Sequence, residues 1–298
     1  MLYGMKRSLK VLISLGFWGV ARAYGGVRHL LGRGGRPICV VLYYHSVPDD
    51  QRKRFARQMD ILRRWSTPVR ADRAEPLPEG HSYAAVTFDD GFLSVASNAI
   101  PELEHRKIPA TILVVAGTLG SLPGWLSESY RHNQSEITMS AEQLRALPES
   151  SVTLGSQTMT HRKLTELLPE LAKREIVDSR LQLEKILNRP VTLFSFPYGK
   201  FNQELLRWCR EAGYKRAFTT EPFLAFAEPG EFVTGRVSVD PTDWELEFWL
   251  KLVGAYRWET LVSAFKRKAL SVWRERRRPM LEGAEGEEEH AKGPIISR

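Results

Sequence analysis

The chain has 298 residues, 43% apolar and 26% charged, enough for a substantial core in one large α/β domain or two small ones. Its net charge of +8 is confined: residues 1–36 hold Lys6, Arg7, Lys10, Arg22, Arg28, Arg33 and Arg36 and no acid, and the rest is close to neutral. That excludes the basic folded face of a nucleic-acid binder, so no nucleic acid is expected as partner, and the two cysteines, Cys39 and Cys209, lack metal-ligand spacing.

The first 36 residues form a segment of their own. Residues 11–21 are apolar and follow Lys6, Arg7 and Lys10, but this run is far shorter than the ~20 residues that span a bilayer. The basic start, the short apolar core and Ala21-Arg22-Ala23 have the layout of a signal peptide. An interfacial amphipathic helix with Phe17 and Trp18 at the headgroup boundary explains the same residues, and a helix packed on the domain is the third reading. The chain is therefore expected to be membrane-associated, peripherally or by an N-terminal anchor, with an anionic membrane surface as a partner and the side of the membrane open.

Residues 37–44 are a continuous apolar run of strand length that ends in His45. Residues 55–65 have helical spacing, and 66–82 form a Pro-rich connection. The next apolar run, from Tyr83, ends in Thr87-Phe88-Asp89-Asp90-Gly91. A helix over 95–106 and a strand over 108–115 follow, the strand closing on Gly117. Ser140 with Gln143 three residues on predicts a capped short helix over 140–147. A strand over 152–155 leads into Ser156-Gln157-Thr158-Met159-Thr160-His161, and 164–187 reads as one long amphipathic helix. A strand over 191–196 ends in Pro197-Tyr198-Gly199. A helix over 202–212, strands over 217–219 and 233–239, and a helix over 245–256 complete the pattern. Residues 264–278 read as a basic helix, and five glutamates within 282–290 as a disordered acidic tail. The alternation predicts a parallel, barrel-like α/β sheet over 37–262, flanked by the N-terminal segment and the tail from 263.

The stretch at Asp89-Asp90 organises the rest. A buried parallel strand delivers acids to the carboxyl edge of its sheet, where α/β folds place their chemistry. Neighbouring strand residues point to opposite faces, so the two aspartates are not interchangeable. One can hold a metal while the other faces substrate, provided the chain bends at Gly91. A glycosidase using both as acid and base is excluded, because adjacent residues cannot flank a scissile bond at ~5–9 Å from opposite sides. No nucleophile elbow for serine or cysteine catalysis is present.

The strand ends together resemble the polysaccharide deacetylase family, the NodB-homology carbohydrate esterases. Thr87-Phe88-Asp89-Asp90-Gly91 is similar to the family's first motif, residues 109–117 to its second strand, residues 155–164 to its metal motif and Phe196-Pro197-Tyr198-Gly199 to its third motif, over residues 37–256 in all. The resemblance implies a distorted parallel (β/α)7-type barrel and hydrolysis of N-acetyl groups on an N-acetylglucosamine-containing glycan or glycolipid. It implies Asp89 as general base, Asp90 and two histidines as ligands of a divalent metal, zinc above others, and the backbone amide of Tyr198 as oxyanion donor. A metal with open coordination would lower the pKa of bound water and polarise the carbonyl.

Three departures stand out. Gln157 occupies the place of the first metal histidine, leaving Asp90, His161 and a neutral, weaker Gln157 as the set. Ser195 replaces the arginine the family places two residues before its proline, and the C-terminal Leu-x-His that supplies the general acid is missing. Leu42-Tyr43-Tyr44-His45 resembles that last motif as a circularly permuted subgroup carries it, on the first strand, which makes His45 the candidate acid. Arg236 can replace the missing cation. Asp240-Pro241-Thr242-Asp243-Trp244 resembles a further family motif, and Pro197, Phe92, Arg236 and Trp244 join Tyr198 as candidate substrate contacts. The second functional reading is a degenerate member that binds glycan, or a partner enzyme, without turnover.

Overall fold

The computed structural model describes residues 2–30, 37–125, 136–226, 228 and 230–263. They fall in two compact units, Met1–Arg257 and Trp258–Arg298; of the second, residues 258–263 are described and are helical. The expected basic helix and acidic tail lie outside the described residues.

The described residues of the first unit form nine strands. These are β1 (Ile38–Tyr44), β2 (Thr67–Pro68), β3 (Ser82–Phe88), β4 (Ala110–Val114), β5 (Val152–Ser156), β6 (Leu193–Ser195), β7 (Arg216–Phe218), β8 (Val233–Thr234) and β9 (Val237–Ser238). Their order is β8-β7-β6-β5-β4-β3-β1-β9, with β2 also on β3, and every pair is parallel. The helices are α1 (Leu2–Leu30), α2 (Arg52–Trp65), α3 (Ile100–His105), α4 (Ala141–Arg145), α5 (Pro169–Leu187), α6 (Gln203–Glu211) and α7 (Glu245–Leu252). This is the parallel, barrel-like α/β sheet that the alternation of strands and helices predicts. Strands β1, β3 and β4 are near-continuous Val, Ile, Leu, Ala and aromatic runs because a parallel sheet is covered on both faces.

Local chemistry explains the boundaries. Ser140 and Gln143 form the reciprocal capping box that starts α4, and the Asn202 side chain accepts from Leu205 N–H at the start of α6. The expected helix over 164–187 begins as α5 only at Pro169, which suits the first helical turn, and residues 164–166 form a separate 3-10 turn. The expected helix over 245–256 stops at Leu252 ahead of Gly254, whose φ is +72°.

The strand expected over 233–239 is two strands. β8 pairs with β7 and β9 pairs with β1, at opposite ends of the strand order, and only Gly235 and Arg236 join them. A Cβ at Gly235 would lie 2.5 Å from Glu221 O and 2.7 Å from the Phe223 ring. Glycine is needed for that close approach.

The N-terminal helix α1 packs on the same unit. Arg7 Nε donates to Glu247 at 2.6 Å, and its guanidinium lies over Trp244 at 4.6 Å. Trp18 meets Trp249 of α7 edge-on at 5.1 Å, and Trp65 meets the same ring at 5.7 Å.

Candidate active site at the carboxyl edge of the sheet

Because all the strands run parallel, the residues that follow them emerge on one edge. Tyr44 pairs with Phe88, so His45 and Asp89 leave β1 and β3 side by side, and Asp89 N–H donates to Tyr44 O at 2.9 Å. Gln157 and His161 follow β5, and Tyr198 follows β6. Four non-glycine residues at this edge have left-handed backbones: Asp90 (φ 68°), Thr158 (φ 71°), His161 (φ 58°) and Tyr198 (φ 58°). Such conformations cost of order 1–3 kcal/mol each and persist where the surroundings over-determine them. Here Glu175 of α5 does so for the histidine loop, accepting from Met159 N–H and Thr160 N–H, both at 2.9 Å, and from Thr160 Oγ1 at 2.5 Å.

Asp89 is clamped from the seam between β8 and β9. Arg236 Nη1 donates to Asp89 Oδ1 at 2.6 Å and Nη2 to Oδ2 at 2.9 Å. The same guanidinium donates to Ser195 Oγ at 2.8 Å, to Thr87 Oγ1 at 3.2 Å and to Thr219 O at 3.3 Å, and lies over the Tyr43 ring at 4.7 Å. With 0% exposure, Arg236 meets protein on all sides. It is therefore a partner of Asp89 and not the substrate contact that the sequence suggested. Ser195, standing where the family has an arginine, accepts from the arginine that arrives from the other direction.

Asp90, Gln157 and His161 form a second cluster. Gln157 Oε1 accepts from Asp90 N–H at 2.8 Å, which fixes the orientation of the amide and turns its NH2 toward His161 Nε2 at 3.2 Å. His161 Nε2 is 3.3 Å from Asp90 Oδ1. Asp90 Oδ1 and His161 Nδ1 are buried without a hydrogen-bond partner. Burial, with the nearby charge of Asp89, pushes the Asp90 carboxyl up to about 8, and burial takes His161 down to about 4. Burial also lowers His45, against the pull of Asp89.

This cluster is the position of the metal the resemblance implies, and its donors fall short. Gln157 spends its oxygen on a backbone N–H and presents an NH2 group, which is not a metal ligand. Asp90 and His161 are left as a pair, whereas a catalytic zinc takes three protein ligands. Among the described residues no group of three His, Cys, Asp or Glu side chains could hold a metal ion. The residues as they stand do not fit the expected zinc.

A cavity of about 560 Å³ opens beside His161, lined among others by Trp125, Arg162, Lys163, Glu166 and Tyr198. Trp125 stacks on the His161 ring at 4.7 Å and Tyr198 meets it edge-on at 5.0 Å. Tyr198 is partly exposed there, so it has a face to offer. Two expected contacts are elsewhere. Phe92 is fully buried in the core and has no face for a sugar; Trp244 does not line this cavity and stacks with Arg7 of α1. Pro197 is buried and shapes the turn that carries Tyr198. Trp125 itself was missed, since it sits among turn residues with no strand or helix period; the only signal is an aromatic directly after Pro123-Gly124.

Comparison with known proteins agrees with this geometry. The polysaccharide deacetylase family profile matches residues 78–217. The chain is 28% identical over 156 residues to YxkH of Bacillus subtilis (strain 168), covering 52% of this chain and 51% of that one. It is 24% identical over 170 residues to the poly-beta-1,6-N-acetyl-D-glucosamine N-deacetylase of Staphylococcus aureus (strain MSSA476), covering 54% and 55%. The chain thus spans about half the length of the curated relatives it matches. Among solved structures, IcaB from Ammonifex degensii aligns with a TM-score of 0.61 at 26% identity over 75% of this chain and 98% of that one. The Streptococcus pyogenes deacetylase PplD aligns with 0.56 at 19% identity over 74% and 98%, a likeness of fold. The first motif, the strand order and the profile match converge on residues 78–217, which are similar to the polysaccharide deacetylase family.

Proposed function

We propose that this chain is an N-deacetylase that hydrolyses N-acetyl groups on an N-acetylglucosamine-containing glycan or a lipid-linked saccharide, working at a membrane surface. The observation that carries the reading is the Arg236–Asp89 clamp beside His45. A completely buried arginine committed to one carboxylate at a strand end has no packing advantage over an apolar side chain, and a catalytic duty explains its presence. The relatives' names, which include an N-acetylglucosamine polymer deacetylase, support the substrate class.

In this reading the substrate's N-acetyl group enters beside Trp125 and Tyr198. Arg236 orients Asp89, which accepts a proton from water as the water oxygen bonds to the carbonyl carbon. The backbone N–H of Tyr198 donates to the resulting oxyanion. His45, neutral at rest because burial lowers its pKa, relays the proton to the amine nitrogen. The carbon–nitrogen bond then breaks, leaving acetate and a free amine. The family is generally metal-dependent, but no step is assigned to a metal here because the donor set is incomplete.

Gln157 favours a second reading, glycan binding without turnover. Acetate release from N-acetylglucosamine oligomers by the wild type, Asp89→Asn and Gln157→His, each with added zinc, cobalt or nickel, separates the two. Release by the wild type that Asp89→Asn abolishes establishes the deacetylase. Silence in the wild type with release by Gln157→His establishes the binder.

A further inference from the structure

Helix α1 has two unlike faces. Arg7, Val11, Ser14, Trp18 and Ala21 recur at helical spacing and are buried or half-buried against the domain, with Val11 in the core. Leu9, Ile13, Val20, Tyr24 and Val27 lie on the roughly opposite side, and their exposures run from 41% to 72%. The stripe from Leu9 to Val27 is ~27 Å long at the α-helical rise. It is apolar along its whole length, with Gly16 and Gly19 open to space between its members. A packing helix has no need of this second face, and a single exposed leucine would need no explanation.

Charge identifies what covers it. The helix carries Lys6, Arg7, Lys10, Arg22 and Arg28 and no acid anywhere. Arg7 is committed to Glu247 and Asp243, which fixes the helix on the domain and leaves the stripe outward. Two copies meeting through this stripe would face each other with unbalanced positive charge, whereas a layer of anionic headgroups complements it. Among the described residues no helix is long and apolar enough to cross a membrane, and a helix of this pattern lies in the interface plane. We propose that the outward stripe of α1 is a docking surface for anionic lipid, on which the helix rests with Leu9, Ile13, Val20, Tyr24 and Val27 in the acyl boundary. This inference is independent of the deacetylase reading.

The test uses the full chain and vesicles of phosphatidylglycerol with phosphatidylcholine, against phosphatidylcholine alone, in a co-sedimentation assay. The wild type is expected to bind the anionic vesicles at least about ten-fold more tightly, and more weakly as salt rises. The double variant Ile13→Glu/Val20→Glu, altered only at exposed positions, is expected to lose at least about ten-fold of that binding with an unchanged melting profile. Equal binding by the double variant would overturn the proposal, because the contact would then come from another segment, the basic residues 264–278 included. So would a wild type that ignores vesicles and doubles its mass in light scattering, with the variant monomeric: the stripe would then be a self-association surface.

Discussion

Arg236 holds both oxygens of Asp89, at 2.6 and 2.9 Å, across 147 positions of sequence and with no part of the guanidinium exposed. Removing one partner leaves a buried charge with nothing to offset it. Arg236→Met is therefore expected to lower unfolding stability by about 3–5 kcal/mol in urea titration. Arg236→Lys keeps the charge but loses the two-pronged grip, so it should lose less stability yet still depress acetate release strongly. A lysine variant with wild-type turnover would show that orientation of Asp89 is not what Arg236 supplies.

Gln157→His restores a third nitrogen or oxygen donor beside Asp90 and His161. After incubation with zinc and desalting, the variant is expected to retain close to one metal per chain by elemental analysis, and the wild type far less. The cost is the hydrogen bond from Asp90 N–H, about 1 kcal/mol of stability. Stoichiometric zinc in the wild type would mean that the amide turns over to present its oxygen.

His45 sets a pH dependence. Its folded pKa lies below the ordinary 6.5, chiefly through burial, so between the two values the unfolded chain binds a proton the folded chain refuses. This contribution of His45 is complete above pH 6.5 and is lost as the pH falls below it, by up to about 1.4 kcal/mol per pH unit for one group, while Asp90, pushed up to about 8, acts in the opposite sense. His161, taken down to about 4, acts in the same sense as His45, so His45→Gln should flatten the acid limb without abolishing it. Urea titrations from pH 7.5 downward compare the two slopes, and identical slopes would refute the assignment.

Trp125 stacks on His161 at the cavity wall. Trp125→Ala is expected to weaken binding of N-acetylglucosamine oligomers about ten-fold in calorimetry, the scale of a lost aromatic platform. The change should fall on KM more than on kcat. Unaltered affinity would place the sugar elsewhere.

Much of this arrangement could be read from sequence, because buried parallel strands are conspicuous apolar runs and their polar endings share an edge. That is how His45, Asp89, Gln157, His161 and Tyr198 came together on paper, and Ser140–Gln143 announced its own capping box. The break inside residues 233–239 could not be read: the alternation Val233, Val237, Val239 continues across it, and the reason for Gly235 is the distant backbone of Glu221. Phe92 misled because an aromatic's type says nothing about whether it is covered. Trp125 was invisible since turns carry no period. The outward face of α1 was written in the spacing of its apolar residues, but which face would dock depended on Glu247 and Trp249, far along the chain.

The two-residue link between β8 and β9 has a consequence for the order of events during folding. Until β9 docks on β1, Arg236 cannot reach β3, so forms that lack this pairing leave Asp89 without its counter-charge. Closing the sheet and arming the carboxylate are then a single late event, delayed by the entropy of joining such distant segments. An open intermediate would be inert toward glycan, and the onset of catalytic competence on refolding would time the closure itself.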